Sequence, residues 1–176
     1  MKVLAISSSP RIGGNSDLIC DQFLKGAKES GHEATKINLA KQKISPCMAC
    51  DVCRGNGGIC VQKDDMANVL QQLIDADVIL LASPVYFYSI CAQLKTMIDR
   101  CYPRYTEIKN KKFYFALTAA DTFDALDYAT NDLRGFLECL LDSHEVELFD
   151  GSETWAKGDV KGKAVLAKAY EAGKNL

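Results

Sequence analysis

The chain's 176 residues, 48% hydrophobic and 25% charged, are enough to bury one sizeable core and predict a single domain over 1–176. A net charge of −2, with Lys and Arg scattered, offers no basic field for a nucleic acid, and no apolar run approaches the length of a membrane span. The first apolar run is too short for a signal-peptide core, so a cytoplasmic protein is expected, in which eight cysteines point to metal binding or redox chemistry more than to structural disulfides.

Residues 3–6 form a continuous apolar run that stops at Ser7, Ser8, Ser9 and Pro10, as a strand covered on both faces does before a loop. Asn15 or Ser16 is placed to cap a helix whose apolar positions Leu18, Ile19, Phe23 and Leu24 recur at helical spacing until Gly31. A weaker strand fits 33–39. The next two dozen or so residues, about 40–63, are rich in Gly, Cys and Lys and carry neither period, which marks an insertion.

From Asp65 a helical pattern through Met66, Val69, Leu70, Leu73 and Ile74 leads to 78–82, the most apolar segment and the expected central strand. Asp64 and Asp65 read as partners of that helix's N-terminal dipole. Ser83 and Pro84 open an aromatic loop, a helix runs through Leu94, Met97 and Ile98, and 112–117 reads as a strand. Residues 125–141 are amphipathic, 145–149 alternate like a strand, and 163–172 suit a final helix. Five strands alternating with five helices predict an α/β fold with a doubly wound parallel sheet, whose ligands bind beyond the carboxyl ends of the strands.

Between the first strand and helix, Ser7-Ser8-Ser9-Pro10-Arg11-Ile12-Gly13-Gly14-Asn15-Ser16 presents backbone N–H groups and a helix dipole to an anion. Ser9 and Ser16 add hydroxyls, Asn15 an amide and Arg11 a charged fork. Neither a Gly-Lys-Ser/Thr ending nor a Gly-x-Gly-x-x-Gly fingerprint is present, which favours a monophosphate over a nucleoside triphosphate; a plain polar turn is the competing reading. The two histidines, His32 and His144, have no nearby nucleophile or paired carboxylate, and Trp155 suits a subunit contact.

The run Ser8, Ser9, Pro10, Arg11, Gly14, Asn15, Ser16 resembles the opening of the NADPH-dependent FMN reductase branch of the flavodoxin-like proteins. Ser83-Pro84-Val85-Tyr86-Phe87-Tyr88-Ser89, with Leu94, Lys95 and Ile98-Asp99-Arg100 after it, is similar to the family's Ser-Pro-x-Tyr-aromatic loop. The resemblance implies a five-stranded sheet of order 2-1-3-4-5, with Ser9, Arg11, Asn15 and Ser16 on the phosphate of flavin mononucleotide (FMN). It also implies that Pro84, Val85, Tyr86 and Phe87 lie on the ring, Pro84 fixing the turn. A third segment, Thr118 to Asp121, should face the flavin, although the family often has glycines there and this chain has none; Asp121 serves equally as a helix N-terminal residue.

Cys47, Cys50, Cys53 and Cys60 stand at the spacing Cys-x2-Cys-x2-Cys-x6-Cys, with Gly55, Gly57 and Gly58 free to bring the last one round. Three closely repeated cysteines are nearer to ferredoxin ligation than to paired zinc knuckles; structural zinc, a redox dithiol and unligated thiols remain open. Cys20, Cys91, Cys101 and Cys139 lie in helical patterns and are expected in the core.

The insertion resembles that of the iron–sulfur flavoproteins, a subgroup of these reductases with a [4Fe–4S] cluster, although the last interval is six here and often five there. The resemblance implies an FMN-dependent oxidoreductase fed by NAD(P)H or ferredoxin, a homodimer or homotetramer, and no acid or nucleophile among its own side chains. The alternatives are a flavodoxin-like electron carrier, or an FMN reductase with structural zinc or unligated cysteines.

Overall fold

The computed structural model describes all of residues 1–176. In chain order the elements are β1 (Lys2–Ser7), α1 (Asn15–Glu29), β2 (Glu33–Asn38), the four-residue α2 (Val52–Gly55), α3 (Met66–Asp75), β3 (Val78–Tyr86), β4 (Ser89–Ile90), α4 (Ala92–Asp99), β5 (Lys112–Thr118), α5 (Leu126–Glu138), β6 (His144–Gly151) and α6 (Ala164–Lys174). The five long strands are parallel in the order β2-β1-β3-β5-β6, with β4 paired antiparallel to β3. This is the expected doubly wound order with one short strand added. No helix is long and apolar enough to cross a membrane.

Successive residues of each central strand enter opposite layers, because side chains alternate across a pleated sheet. Leu4, Ile6, Ile79, Leu81, Phe113, Phe115 and Leu117 pack with α3, α4 and α5 in one core, while Val3, Ala5, Val78, Leu80, Ala82, Tyr114 and Ala116 pack with α1 and α6 in the other. Helices on both sides explain why β1 and β3 read as unbroken apolar runs. β6 lies at the edge and carries a bulge: Phe113 pairs Glu145 but Tyr114 pairs Glu147, which skips half-exposed Val146 and returns Phe149 to the α1/α6 core.

Several expected details fall elsewhere. The residue before α1 is Gly14, and neither Asn15 nor Ser16 caps the helix; Asn15 reaches across to the segment after β6 instead. Pro84 does not turn the chain, since β3 runs through it in register with Thr118 of β5. The chain turns at Phe87 and Tyr88, whose φ values of 51° and 62° make a two-residue hairpin with both central residues left-handed. That conformation favours Asn and Gly, so two aromatic residues there carry roughly 1–3 kcal/mol of strain each. Asp132 of α5 holds the hairpin by accepting Ser89 Oγ–H at 2.6 Å and Ile90 N–H at 3.3 Å.

Candidate functional site

Beyond the carboxyl ends of β1, β3 and β5 lies a cleft of about 480 Å³ bordered by Ser9, Arg11, Asn15, Ser16, Pro84, Val85, Tyr86, Phe87 and Thr118. One site thus gathers nine of the ten residues expected at a flavin. Asp121 lies outside it: its carboxylate accepts Thr122 N–H at 2.8 Å and its carbonyl accepts Glu153 N–H at 2.8 Å, so it shapes a turn. The cleft also includes Ala119 and Ala120, from the third segment expected at the flavin, and Thr154, Trp155 and Lys157, which residue patterns did not mark for it because the segment after β6 has no periodicity of its own.

The first loop is wound tightly by its own bonds. Ser9 Oγ accepts Arg11 N–H at 3.1 Å, Gly14 N–H donates to Arg11 O at 2.8 Å, and a Cβ on Gly14 would stand 2.8 Å from Arg11 O. The first main-chain bond of α1 is Leu18 N–H to Gly14 O, so the N–H groups of Asn15, Ser16 and Asp17 have no partner within the helix. Ser16 Oγ is buried without a hydrogen-bond partner. Orphaned donors behind an arginine, at the positive end of a 15-residue helix, can take an anion such as a phosphate.

Asp17 braces this loop from behind, accepting Gly13 N–H at 2.7 Å and pairing with Lys36 Nζ at 3.0 Å. Burial pushes its carboxyl up, but the Gly13 N–H and the Lys36 ammonium outweigh that and hold it below the usual carboxylate value. A carboxyl with a lowered folded pKa stabilises fully above its unfolded value, about 3.9 for Asp, and that stability is lost as pH falls through the folded value. Asp17→Asn is therefore expected to lower the urea midpoint at pH 7 and to narrow the drop in midpoint between pH 7 and pH 3.

The insertion forms a second site. Cys47, Cys50, Cys53 and Cys60 all border one cleft of about 820 Å³, together with Arg100, Tyr102, Tyr105, Phe136 and Cys139. Ala49 and Asp51, both at φ 53°, wind the backbone on either side of Cys50. Ala49 N–H donates to Cys47 Sγ at 3.4 Å, and Arg100 Nη2 donates to Cys60 Sγ at 3.6 Å. The thiols share a cleft without converging on a point: no three Cys, His, Asp or Glu side chains stand close enough for a single ion. Zinc and iron–sulfur ligation alike need thiolates drawn around one centre, and the shared cleft brings all four to one wall.

Cys20, Cys91 and Cys101 are buried as expected, and burial pushes the Cys101 thiol up to about 12. Cys139 is a correction: at the end of α5 it is exposed and faces the four-cysteine cleft. It lies one turn beyond Gly135, whose carbonyl its thiol meets at 3.5 Å, and with Asp132 and Gly135 it lines that cleft, off the stripe of Leu133, Phe136, Leu137 and Leu140 that the core takes. Asp64 also does more than expected. It accepts Met66 N–H at 3.2 Å at the start of α3, and it binds Arg100 through both oxygens at 2.7 and 2.9 Å. Burial alone would raise its carboxyl, yet Arg100 holds it below the usual range.

A flavodoxin-like doubly wound sheet with an anion cradle and an aromatic hairpin at its carboxyl edge defines a class of nucleotide-binding α/β proteins. Within that class, the family described as NADPH-dependent FMN reductase matches residues 1–148, and the chain belongs to it. It is similar to an iron-sulfur flavoprotein of Archaeoglobus fulgidus, 41% identical over 103 residues that make up 58% of this chain and 46% of that one. An iron-sulfur flavoprotein of Methanocaldococcus jannaschii is 42% identical over 103 residues, 58% of this chain and 53% of that one. The match spans about half the length of these curated relatives. The fold is shared with an FMN-dependent NADH-azoreductase of Bacillus anthracis in complex with FMN, at a TM-score of 0.70 and 19% identity over 99% of this chain and 96% of that one.

Proposed function

We propose that this chain binds FMN in the carboxyl-edge cleft and a [4Fe–4S] cluster on Cys47, Cys50, Cys53 and Cys60, and that it works as an oxidoreductase fed by NAD(P)H or ferredoxin in the cytoplasm. FMN supplies a centre that handles electrons singly or in pairs, and the cluster supplies one that handles them singly. The chain's own residues bind and orient. Arg11, Ser16 and the first N–H groups of α1 take the phosphate; Pro84 to Phe87 and Thr118 wall the ring. The four thiolates hold the cluster, with N–H donors from Ala49 and Arg100 offsetting their charge. Assembly into a homodimer or homotetramer belongs to the same proposal, supported by fully exposed Phe87 and by Tyr88 and Tyr128, whose rings meet 5.9 Å apart at the surface.

The observation that carries the flavin reading is the buried, partnerless hydroxyl of Ser16 beside the cleft. Such a group costs the free protein stability and gains a strong acceptor when an anion binds. Ser16→Ala is therefore expected to leave the melting point of flavin-free protein unchanged or higher, and to weaken FMN binding by about 10–100-fold, the range for a hydrogen bond to a charged group. Calorimetric titration with FMN checks this; equal affinity in variant and parent removes Ser16 from the phosphate site. For the cluster, anaerobically reconstituted protein is expected to carry iron and sulfide, and Cys50→Ser to lose the iron-dependent absorbance while keeping FMN. Stoichiometric zinc after that treatment overturns the cluster assignment.

A further inference from the structure

We infer that the segment after β6, residues 154–157, is a built part of the flavin site, in which Trp155 covers the ring and Lys157 binds the phosphate. This rests on the FMN reading above, and it concerns residues beyond the 148 that match the family.

The segment is held from several sides. Thr154 N–H donates to Ala119 O at 2.8 Å and Thr154 Oγ1 to Gly151 O at 2.7 Å, which fixes it over the end of β5. Glu153, at φ 54°, turns the chain there and is tied to Asp121 O through its N–H at 2.8 Å. Farther on, the Asn15 amide donates to Ala156 O at 2.9 Å and accepts Gly158 N–H at 2.9 Å and Val160 N–H at 3.3 Å. Asn15 is thus a strut between the phosphate cradle and this segment.

On so firmly held a backbone, the only tryptophan of the chain is left 80% exposed at the mouth of the cleft. Trp is a large apolar ring that folding ordinarily covers, and nothing within this chain covers it. The layers explain its use. The aromatic hairpin is anchored through Ile90 in the α3/α4/α5 core, whereas the Trp155 segment is anchored through Val160 in the α1/α6 core. The cleft therefore has one aromatic wall from each side of the sheet, which suits a planar ring that needs both faces shielded.

Lys157 completes the anion end. Its Cε lies 3.5 Å from the place a Cβ on Gly13 would occupy, so its side chain lies against the phosphate loop and brings a second cation to the cleft that Arg11 lines. Gly13, at φ 68°, holds the left-handed conformation that glycine takes without strain.

Comparing FMN with riboflavin, which lacks the phosphate, separates the two roles. By titration of flavin-free protein, Lys157→Ala is expected to weaken FMN about tenfold and leave riboflavin unchanged. Trp155→Ala is expected to weaken both about tenfold, with Trp155→Phe recovering most of the loss. Both side chains are at the surface, so circular dichroism should show unaltered folding. If either Ala variant binds FMN and riboflavin as the parent does while Ser16→Ala loses FMN, this inference fails and the FMN reading stands. If the parent itself binds no FMN, both fall.

Discussion

Gly173→Ala is expected to destabilise the protein by roughly 3 kcal/mol or more, lowering its melting temperature by about 6–12 °C for a chain of this size. Gly173 lies in α6 where that helix crosses α1, and a Cβ there would stand 2.0 Å from Phe23 O and 2.9 Å from Phe23 C. Across the crossing, a Cβ on Gly26 would stand 2.1 Å from Tyr170 O. Each obstacle is main chain, which no rotamer change can move, so the helices must separate and open the α1/α6 core. Helix propensity acts the other way, since Ala is favoured over Gly by about 1 kcal/mol inside a helix. Gly135, in α5 with nothing within 4 Å of its would-be Cβ, isolates that opposing effect. Gly135→Ala is expected to raise the melting point by a few degrees while Gly173→Ala lowers it. Equal shifts in the two variants, read by calorimetry, would show that the helices do not approach this closely.

A comparably large effect is expected at Arg100. Its side chain is 2% exposed, its Nε is buried without a partner, and its two amino groups reach both ends of the insertion: Ser45 O at 2.6 Å before the cysteines, Cys60 Sγ at 3.6 Å and Asp64 at 2.7 and 2.9 Å after them. One guanidinium thereby closes the neck of the loop against the end of α4. Arg100→Met leaves Asp64 without its counter-ion, at a cost near the low end of the roughly 3–5 kcal/mol for breaking a buried pair, because the Asp64 side chain keeps 13% exposure. Replacing both partners, as Arg100→Met with Asp64→Leu, is expected to recover a large part of that loss in urea unfolding, since no charge is then left behind. Iron retained after anaerobic reconstitution should fall in both the single and the double variant, because either one opens the neck that holds Cys60. Parental iron content in the single variant would remove Arg100 from the support of the cysteine site.

The sequence alone determined the layer architecture, and the reason is local. Residues 3–6 and 78–82 are apolar at every position, which only strands covered on both faces require, and the helical stripes between them set the crossovers. The grouping of the first loop and of the four cysteines was also legible, because each lies within a dozen or so consecutive residues. What the tertiary structure decided depends on residues far apart in the chain. Whether Pro84 turned the chain was settled by β5, whose register keeps Pro84 in the sheet and moves the turn to Phe87 and Tyr88. Asn15 became a strut because residues 156–160 return beside it, 141 to 145 positions along the chain. Arg100 joined the cysteine loop, and Trp155 and Lys157 joined the cleft, for the same reason: neither polar pairing across such separations nor an exposed indole on a loop leaves a periodic trace in sequence. Only the packing of helices on both faces of the sheet fixes where those side chains meet.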